Sequence, residues 1–524
     1  MDFRNINDLE NATSKSRKEM FRFGTALLFI VLIILFTANL QVGTGTVSVE
    51  LIIAAMIGGY MAINIGANDV ANNVGPAVGS KALTMTGAII IAAIFESAGA
   101  LIAGGEVINT ISKGIIDPQL IDNADTFIWL MMAALLAGAV WLNLATAVGA
   151  PVSTTHSIVG GVLGAGIAAA GWNVANWDQM SAIAASWVIS PVIGGLIAAG
   201  FLMWIKHSIT YKADMIGAAQ KTLPLLVAVM AWAFSTYLIL KGLNKVWKTD
   251  FLTATLIGLA IAALTYLIVK PAVKRQAQYL PNSKASVNQL FIMPLIFAAA
   301  LLSFAHGAND VANAVGPLAA INDALQSHEI TTKAEIPLWI MVIGAIGISL
   351  GLMLFGPKLI RTVGSEITEL DQMRAFAIAM AAAITVIVAS QFGLPVSSTH
   401  IAVGAVFGVG FLREYLKRNY AQAVQEIKDH HQGENDHELN LFIDRFSKAS
   451  VGEKKQMLAE LKAMKEELGL TKKERKSLNK VYQKELVKRS AFLRIVAAWI
   501  ITVPASAILA ALFFFAIRGM MLPA

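Results

Sequence analysis

The chain has no cysteine among its 524 residues, which excludes disulfides, iron–sulfur clusters and thiolate zinc sites. It is also short of charge. Asp, Glu, Lys and Arg make up 14% of it, where a soluble domain carries about a quarter. What replaces the missing charge is apolar: 56% of the residues, with a mean hydropathy of +0.63. The apolar residues fall in many runs near 20 residues long, the length at which a helix crosses a bilayer, so helices are expected rather than a barrel. The formal charge of +7 reads through topology and not as a nucleic-acid footprint, because the basic residues gather in a few loops. The lipid bilayer is therefore the expected solvent, and no nucleic acid or organic cofactor is expected.

Residues 1–20 are polar and lead through Lys15, Arg17, Lys18 and Arg22 into an apolar run from Phe23 to Leu40. That run is longer than a signal-peptide core and no clear A-x-A site follows, so it reads as an uncleaved anchor with its N-terminus inside. Further spans are expected near 50–80, 87–112, 126–148, 151–170, 180–205, 222–240, 251–269, 288–318, 336–356, 374–392, 394–412 and 493–518. This makes 13 crossings, with the N-terminus cytoplasmic and the C-terminus outside. The loop holding Asp117, Asp122 and Asp125 lies outside on this count. The loops holding Lys206, Lys212 and Lys221, and Lys270, Lys274, Arg275 and Lys284, lie inside. The basic loop at 241–248 is the one misfit. Residues 413–490 are dense in Lys and Glu, with capping-box signatures at Ser450–Glu453 and Thr471–Glu474, and read as a cytoplasmic helical hairpin.

One stretch occurs twice. Residues 66–76 read GANDVANNVGP and residues 307–317 read GANDVANAVGP, ten of eleven positions being identical. Each copy sits in an apolar segment yet carries Asp, Asn, Gly and Pro. Buried carboxylates and amides are costly in hydrocarbon and mark a pathway or site. Gly and Pro break the helix and free backbone groups, tolerable only around a cavity or ligand. On the count above, the first copy runs outward to inward and the second inward to outward. Matched, interrupted segments of opposite direction are the pattern of an inverted-repeat secondary transporter.

A second pair follows the first. Residues 150–166 read APVSTTHSIVGGVLGAG and residues 394–410 read LPVSSTHIAVGAVFGVG. Pro151 and Pro395 open each copy, and Ser153, Thr154 and Thr155 match Ser397, Ser398 and Thr399. Pro in a first helical turn followed by hydroxyl residues makes a helix N-terminus with extra donors, a structure that caps itself or binds an anion. The expected architecture is an all-α polytopic membrane protein with broken or re-entrant helices and a cytoplasmic helical insert. Its parts are an N-terminal tail and extra helix (1–48), a first repeat (49–221), linking helices (222–287), a second repeat (288–412), the insert (413–490) and a last helix (491–524) completing the second repeat.

These four motifs, in this order, resemble the inorganic phosphate transporter (PiT) family. The resemblance covers residues 50–412 and the last span. It implies cation-coupled uptake of inorganic phosphate across the plasma membrane by alternating access. The family's functional residues carry over to Asn68, Asp69, Asn72, Asn309, Asp310 and Asn313, to the hydroxyls at 153–155 and 397–399, and to Glu96 in FESAGA. Animal members of the family resemble one another in having a counterpart of Glu96 in the second half. Here the aligned IGISLG places Ile348 there, which puts the number and kind of coupling ions in question.

No Lys or Arg lies in any of the four motifs. Phosphate is then held by neutral donors, namely Asn68, Asn309, Ser153, Thr154, Thr155, Ser397, Ser398 and Thr399, together with helix-end N–H groups. Asp69 and Asp310 repel it unless a cation lies between. Asp69, Asp310, Asn72, Asn313 and Glu96 are the expected cation ligands. Na+ suits their hard oxygens better than H+, for which His156, His400 or Glu96 would serve. His156 and His400 read equally well as packing residues, and His306 is unmatched at Ile65. Sulfate through the same site, a passive channel, and a hydrolase built on the STTH stretch are the rival readings. The hydrolase is disfavoured because adjacent helical residues point about 100° apart and no carboxylate stands nearby to orient the His. The oligomer is not fixed by sequence, and a homodimer is among the allowed states.

Overall fold

The computed structural model describes residues 3–40, 48–150, 152–242, 248–330, 336–365, 370–429 and 489–521. Pro151, most of the 241–248 loop and the capping boxes of the insert lie outside the described residues. The described chain is helical, with one isolated β-bridge between Ile116 and Ala175.

After α1 (Phe3–Thr37) come α2 (Val49–Asn68), α3 (Val70–Gly79), α4 (Met85–Ala103), α5 (Gly105–Asn109), α6 (Ala124–Val148), α7 (Thr154–Ala170) and α8 (Trp177–Ile205). Helices α9 (Met215–Tyr237) and α10 (Phe251–Ala277) pack on each other as a linking pair. The second series is α11 (Lys284–Leu290), α12 (Ile292–Asp310), α13 (Ala312–Ser327), α14 (Leu338–Phe355), α15 (Pro357–Ser365), α16 (Gln372–Gln391), α17 (Ser398–Asp429) and α18 (Arg489–Met521). The polar loop residues cap the helices they precede. The side chains of Ser48, Thr84, Asn123, Asn176 and Asp371 each accept from a first-turn N–H, donors that no residue inside the helix can satisfy.

Eleven helices among the described residues are long and apolar enough to cross a membrane. The expectation was 13 crossings. The difference lies in the runs at 151–170 and 394–412, which are return limbs of hairpins. Gly149, at φ 75°, ends α6, and Gly393, at φ 65°, follows α16 at the matching place. A left-handed residue stops a helix and turns the chain, and glycine adopts it without penalty. In the second hairpin Pro395 follows, where it cannot donate a helical hydrogen bond. The return limb α7 has 17 residues, about 25 Å at 1.5 Å per residue.

The two series are antiparallel. Gln372 Nε2 donates to Ser80 O at 2.8 Å and Lys284 pairs with Asp371 at 3.3 Å, so α3 ends on the face where α12 and α16 begin. Lys113 pairs with Asp323 at 3.0 Å on the opposite face, where α13 ends. The series also interlock: α2 packs on α14 and α4 on α12, α8 on α17 and α18 on α7. Glycines permit this. A Cβ on Gly66 would meet the carbonyl of Ile348, and one on Gly307 that of Glu96. Matched residues meet across the pseudo-twofold axis, with Ser97 Oγ 2.8 Å from Ser349 Oγ and the His156 and His400 rings 4.3 Å apart, edge to face.

Candidate functional site

The two GAND segments are kinked rather than unwound. Asp69 keeps right-handed helical angles (φ −80°, ψ −40°) between α2 and α3, as does Val311 (φ −57°, ψ −31°) between α12 and α13. At the first kink Asn72 N–H bonds to Asp69 O, three residues back. Pro76 and Pro317 lie inside α3 and α13. Lacking an N–H, they take the usual helical donor from the carbonyls of Asn72 and Asn313.

Each kink faces the turn of its own hairpin. Asn68 Nδ2 donates to Thr146 Oγ1 (2.9 Å) and Ala150 O (3.2 Å), and Asn68 Oδ1 accepts from Val152 N (3.2 Å). In the orientation that satisfies its amide, Asn309 accepts from Ser390 Oγ at 2.8 Å and donates to Val396 O at 3.2 Å and Asp310 Oδ1 at 3.0 Å. Both Asn residues thus staple a hairpin tip to a kink.

The next residue of each motif is the carboxylate. Asp69 Oδ2 accepts from Thr154 Oγ1 at 2.7 Å and lies 3.4 Å from Thr154 N at the start of α7. Asp310 Oδ2 accepts from Ser398 Oγ at 3.0 Å. Ser153 and Ser397 act as caps, accepting from the backbone N–H groups of His156 and His400 at 3.1 and 3.2 Å. The third polar residue crosses to the other repeat. Asn72 Nδ2 donates to Thr399 Oγ1 at 2.8 Å, and Asn313 Nδ2 to Thr154 and Thr155 Oγ1 at 3.0 and 3.2 Å. Thr155 Oγ1 in turn donates to Val396 O at 3.1 Å, joining the hairpin tips. All thirteen residues expected from sequence are buried, and Asp69, Asn72, Thr154, Thr155, Asn309, Asp310, Asn313, Ser398 and Thr399 are linked through these hydrogen bonds and Val396 O.

Glu96 joins by a route the sequence did not suggest. It accepts from Asn73 Nδ2 at 2.8 Å and lies 2.6 Å from His306 Nδ1, while His306 Nε2 lies 3.0 Å from Asp310 Oδ2. Asp69, His306 and Asp310 bring ligand atoms within 4.8 Å of one another. Asn73 and His306 are the two functional candidates missed by matching motifs, because both sit where the copies differ. Their counterparts are Ala314 and Ile65, and the counterpart of Glu96 is Ile348. Asn73–Glu96–His306 is therefore an asymmetric polar trio whose matched positions in the other half are apolar. The differences between the copies, read alongside their identities, carried that signal.

His156 and His400 stand apart. His156 lies 3.8 Å from the Trp187 ring and His400 3.7 Å from Trp499, and no carboxylate contacts either imidazole among the described residues. With Ser153 committed as a cap, no hydrolase dyad is assembled.

A family model described as the phosphate transporter family matches residues 65–510. The chain is 55% identical over 527 residues to a Helicobacter pylori strain J99 protein named "Putative phosphate permease", with 99% of each chain covered. It is 41% identical over 386 residues to a protein of the same name from Chlamydia muridarum, covering 69% of this chain and 90% of the other. A solved structure described as the sodium-dependent phosphate transporter is similar with a TM-score of 0.74 and 31% identity, covering 91% of this chain and all of the other.

Proposed function

Since the chain belongs to the phosphate transporter family, a family of multi-pass membrane transporters and not of enzymes, we propose that it takes up inorganic phosphate across the plasma membrane by cation-coupled symport. The driving ion is Na+, the transport mode is alternating access, and the N-terminus is cytoplasmic. The observation that carries this reading is the chemistry of the unsatisfied buried atoms. Among the described residues, Asp69 Oδ1, Asn72 Oδ1, Asn73 Oδ1 and Asn313 Oδ1 have no donor, and these four acceptors share the cluster with His306 Nε2, which lies 3.0 Å from Asp310 Oδ2. A buried acceptor without a partner costs about 1–3 kcal/mol, and a hard cation supplies what such oxygens lack. The solved structure similar to this chain is itself described as sodium-dependent.

Phosphate recognition follows from the same geometry. The donors available to it are the Thr and Ser hydroxyls and the N-termini of α7 and α17, and of these Thr154 is turned onto Asp69 and Ser398 onto Asp310. Carboxylate and phosphate compete for one set of donors, and their charges repel. A cation on the two carboxylates removes both obstacles, so anion binding depends on cation binding. The membrane potential requires such coupling. Each charge moved across 100 mV costs about 2.3 kcal/mol, so a divalent anion faces roughly 4–5 kcal/mol against a negative interior. Two Na+ make uptake electrically neutral, and a third lets the potential help.

The reading is tested by labelled phosphate uptake into proteoliposomes under imposed Na+ or H+ gradients. Uptake that follows the Na+ gradient at fixed pH is expected, with little competition by excess sulfate. Full competition by sulfate would move the substrate assignment, and equilibration without accumulation would indicate a passive channel.

A further inference from the structure

Two half-helices, matched by the repeat, flank the site from opposite faces. Helix α4 is interrupted at Gly104 and continues as α5 and a π-helical turn, Thr110–Gly114. Helix α14 is interrupted at Gly356 and continues as α15. The two glycines lie 252 positions apart, the offset that pairs Glu96 with Ile348. Each continuation crosses to the other repeat, where it covers the second limb of a GAND segment and the tip of a hairpin. The first covers α13, with Ile111 against Gly316, and Thr110 Oγ1 donates to Gly393 O at 2.9 Å. The second covers α3, with Gly79 against the Gly364 carbonyl, and Lys358 Nζ donates to Ala147 O at 2.9 Å.

The two clasps differ in charge. Thr110 is neutral, whereas Lys358 places an exposed ammonium on the tip of the first hairpin. Its Cε would lie 3.4 Å from a Cβ on Gly149, so the lysine is held against the turn itself. The same tip leads into Thr154, the hydroxyl that Asp69 engages. Ser349 meets Ser97 at the pseudo-twofold axis. Lys358 is nine residues further along the chain, about 13 Å toward the face where α3 ends at 1.5 Å per residue. Half of a hydrocarbon core is about 15 Å, and a cation within that depth marks a pathway.

We propose that Lys358 receives phosphate as it leaves the site toward the cytoplasm. With the clasp closed, the ammonium holds the hairpin tip through Ala147 O. When α15 separates from α3, the ammonium turns from that carbonyl to the anion, because a charged acceptor bonds an ammonium more strongly than a neutral one. The position of the lysine matters as much as its charge. A fixed cation among Asp69, Asp310 and the site hydroxyls would hold phosphate without a coupling ion. One placed beyond the tip assists release and leaves the coupling intact. The inference rests on the phosphate-uptake reading above.

The chain has no cysteine, so Lys358→Cys carries a single thiol. Oriented proteoliposomes are assayed for labelled phosphate uptake, which samples the outer side, and for efflux, which samples the cytoplasmic side. Both are measured against phosphate concentration at saturating Na+, before and after treatment with a cationic aminoethyl or an anionic sulfonatoethyl thiosulfonate. In Lys358→Cys the half-saturating phosphate for efflux should rise roughly tenfold, and that for uptake about twofold at most. The aminoethyl reagent rebuilds an ammonium on the thiol and should restore efflux; the sulfonatoethyl reagent should not. Lys358→Arg should match the parent. Equal shifts on the two sides, restoration by both reagents, or an unchanged efflux value would overturn the proposal. Failure of Lys358→Cys to reconstitute would also overturn it, making the residue a structural clasp. A parent protein that carries no phosphate would instead remove the uptake reading on which the proposal rests.

Discussion

At the scale of single residues, the account turns on which buried oxygens a cation can use. Asp69 and Asp310 each supply a carboxylate, and each holds donors that phosphate needs. Asp69→Asn and Asp310→Asn should each abolish coupled uptake while leaving the protein inserted, measured by proteoliposome flux beside a size-exclusion profile. Near-normal transport with unchanged cation dependence in either variant would contradict the shared-ion mechanism. The trio of Asn73, Glu96 and His306 permits a sharper experiment. Glu96→Gln alone leaves His306 at Asp310 without its 2.6 Å carboxylate partner, the loss of a charge-assisted bond worth about 1.5–3 kcal/mol. Phosphate uptake should fall at least tenfold at limiting Na+. The triple variant Asn73→Ala, Glu96→Ile and His306→Ile copies the apolar arrangement of the other half. It should fold as well as the parent in thermal unfolding while its Na+ dependence changes. A triple variant that fails to fold would show the trio to be structural. The sequence exposed the matched residues of this site because duplication marks them. It did not expose the trio, because nothing in a lone His or Asn says which carboxylate it will meet 23 or 210 positions away.

At the scale of elements, the fold depends on helices that cross with almost no side chain between them. Gly66 lies against the Ile348 carbonyl and Gly307 against that of Glu96. A backbone carbonyl in a packed crossing cannot move aside as a flexible side chain can, and overpacking costs at least 1–3 kcal/mol. Gly66→Val and Gly307→Val should therefore eliminate the folded, monodisperse protein. Gly200→Ala, which meets nothing within 4 Å, should leave it unchanged. Recovery of a folded Gly66→Val protein with normal stability would argue against the crossing. Composition and run length were enough to expose the helices, and the Gly–Pro pairs to expose the breaks. Where the breaks fall was not legible. The kinks are at Asp69 and Val311, ahead of the prolines, and two expected crossings are return limbs starting at Thr154 and Ser398. An apolar run of 17–20 residues has the same composition whether it spans a bilayer or folds back within the protein. Nor did the repeats reveal that Asn72 reaches Thr399 in the opposite half, because two identical copies do not say which partner each will choose.

At the scale of the whole molecule, two interlocked antiparallel repeats form a site at their shared axis, and everything else is attached to that unit. The Chlamydia muridarum protein matches 69% of this chain with 90% of its own length, so a protein of that name needs fewer residues than these. Replacing residues 420–485 by a flexible linker should accordingly leave more than half of the uptake rate, since a polar insert is tolerated when its ends can meet. Complete loss of flux in a well-inserted deletion would make the insert part of the machinery. The most direct test of the central claim is phosphate accumulation in proteoliposomes at fixed pH with an inward Na+ gradient, with and without a protonophore. The account predicts accumulation that follows the Na+ gradient and survives the protonophore. Uptake indifferent to Na+ and abolished by the protonophore would contradict it.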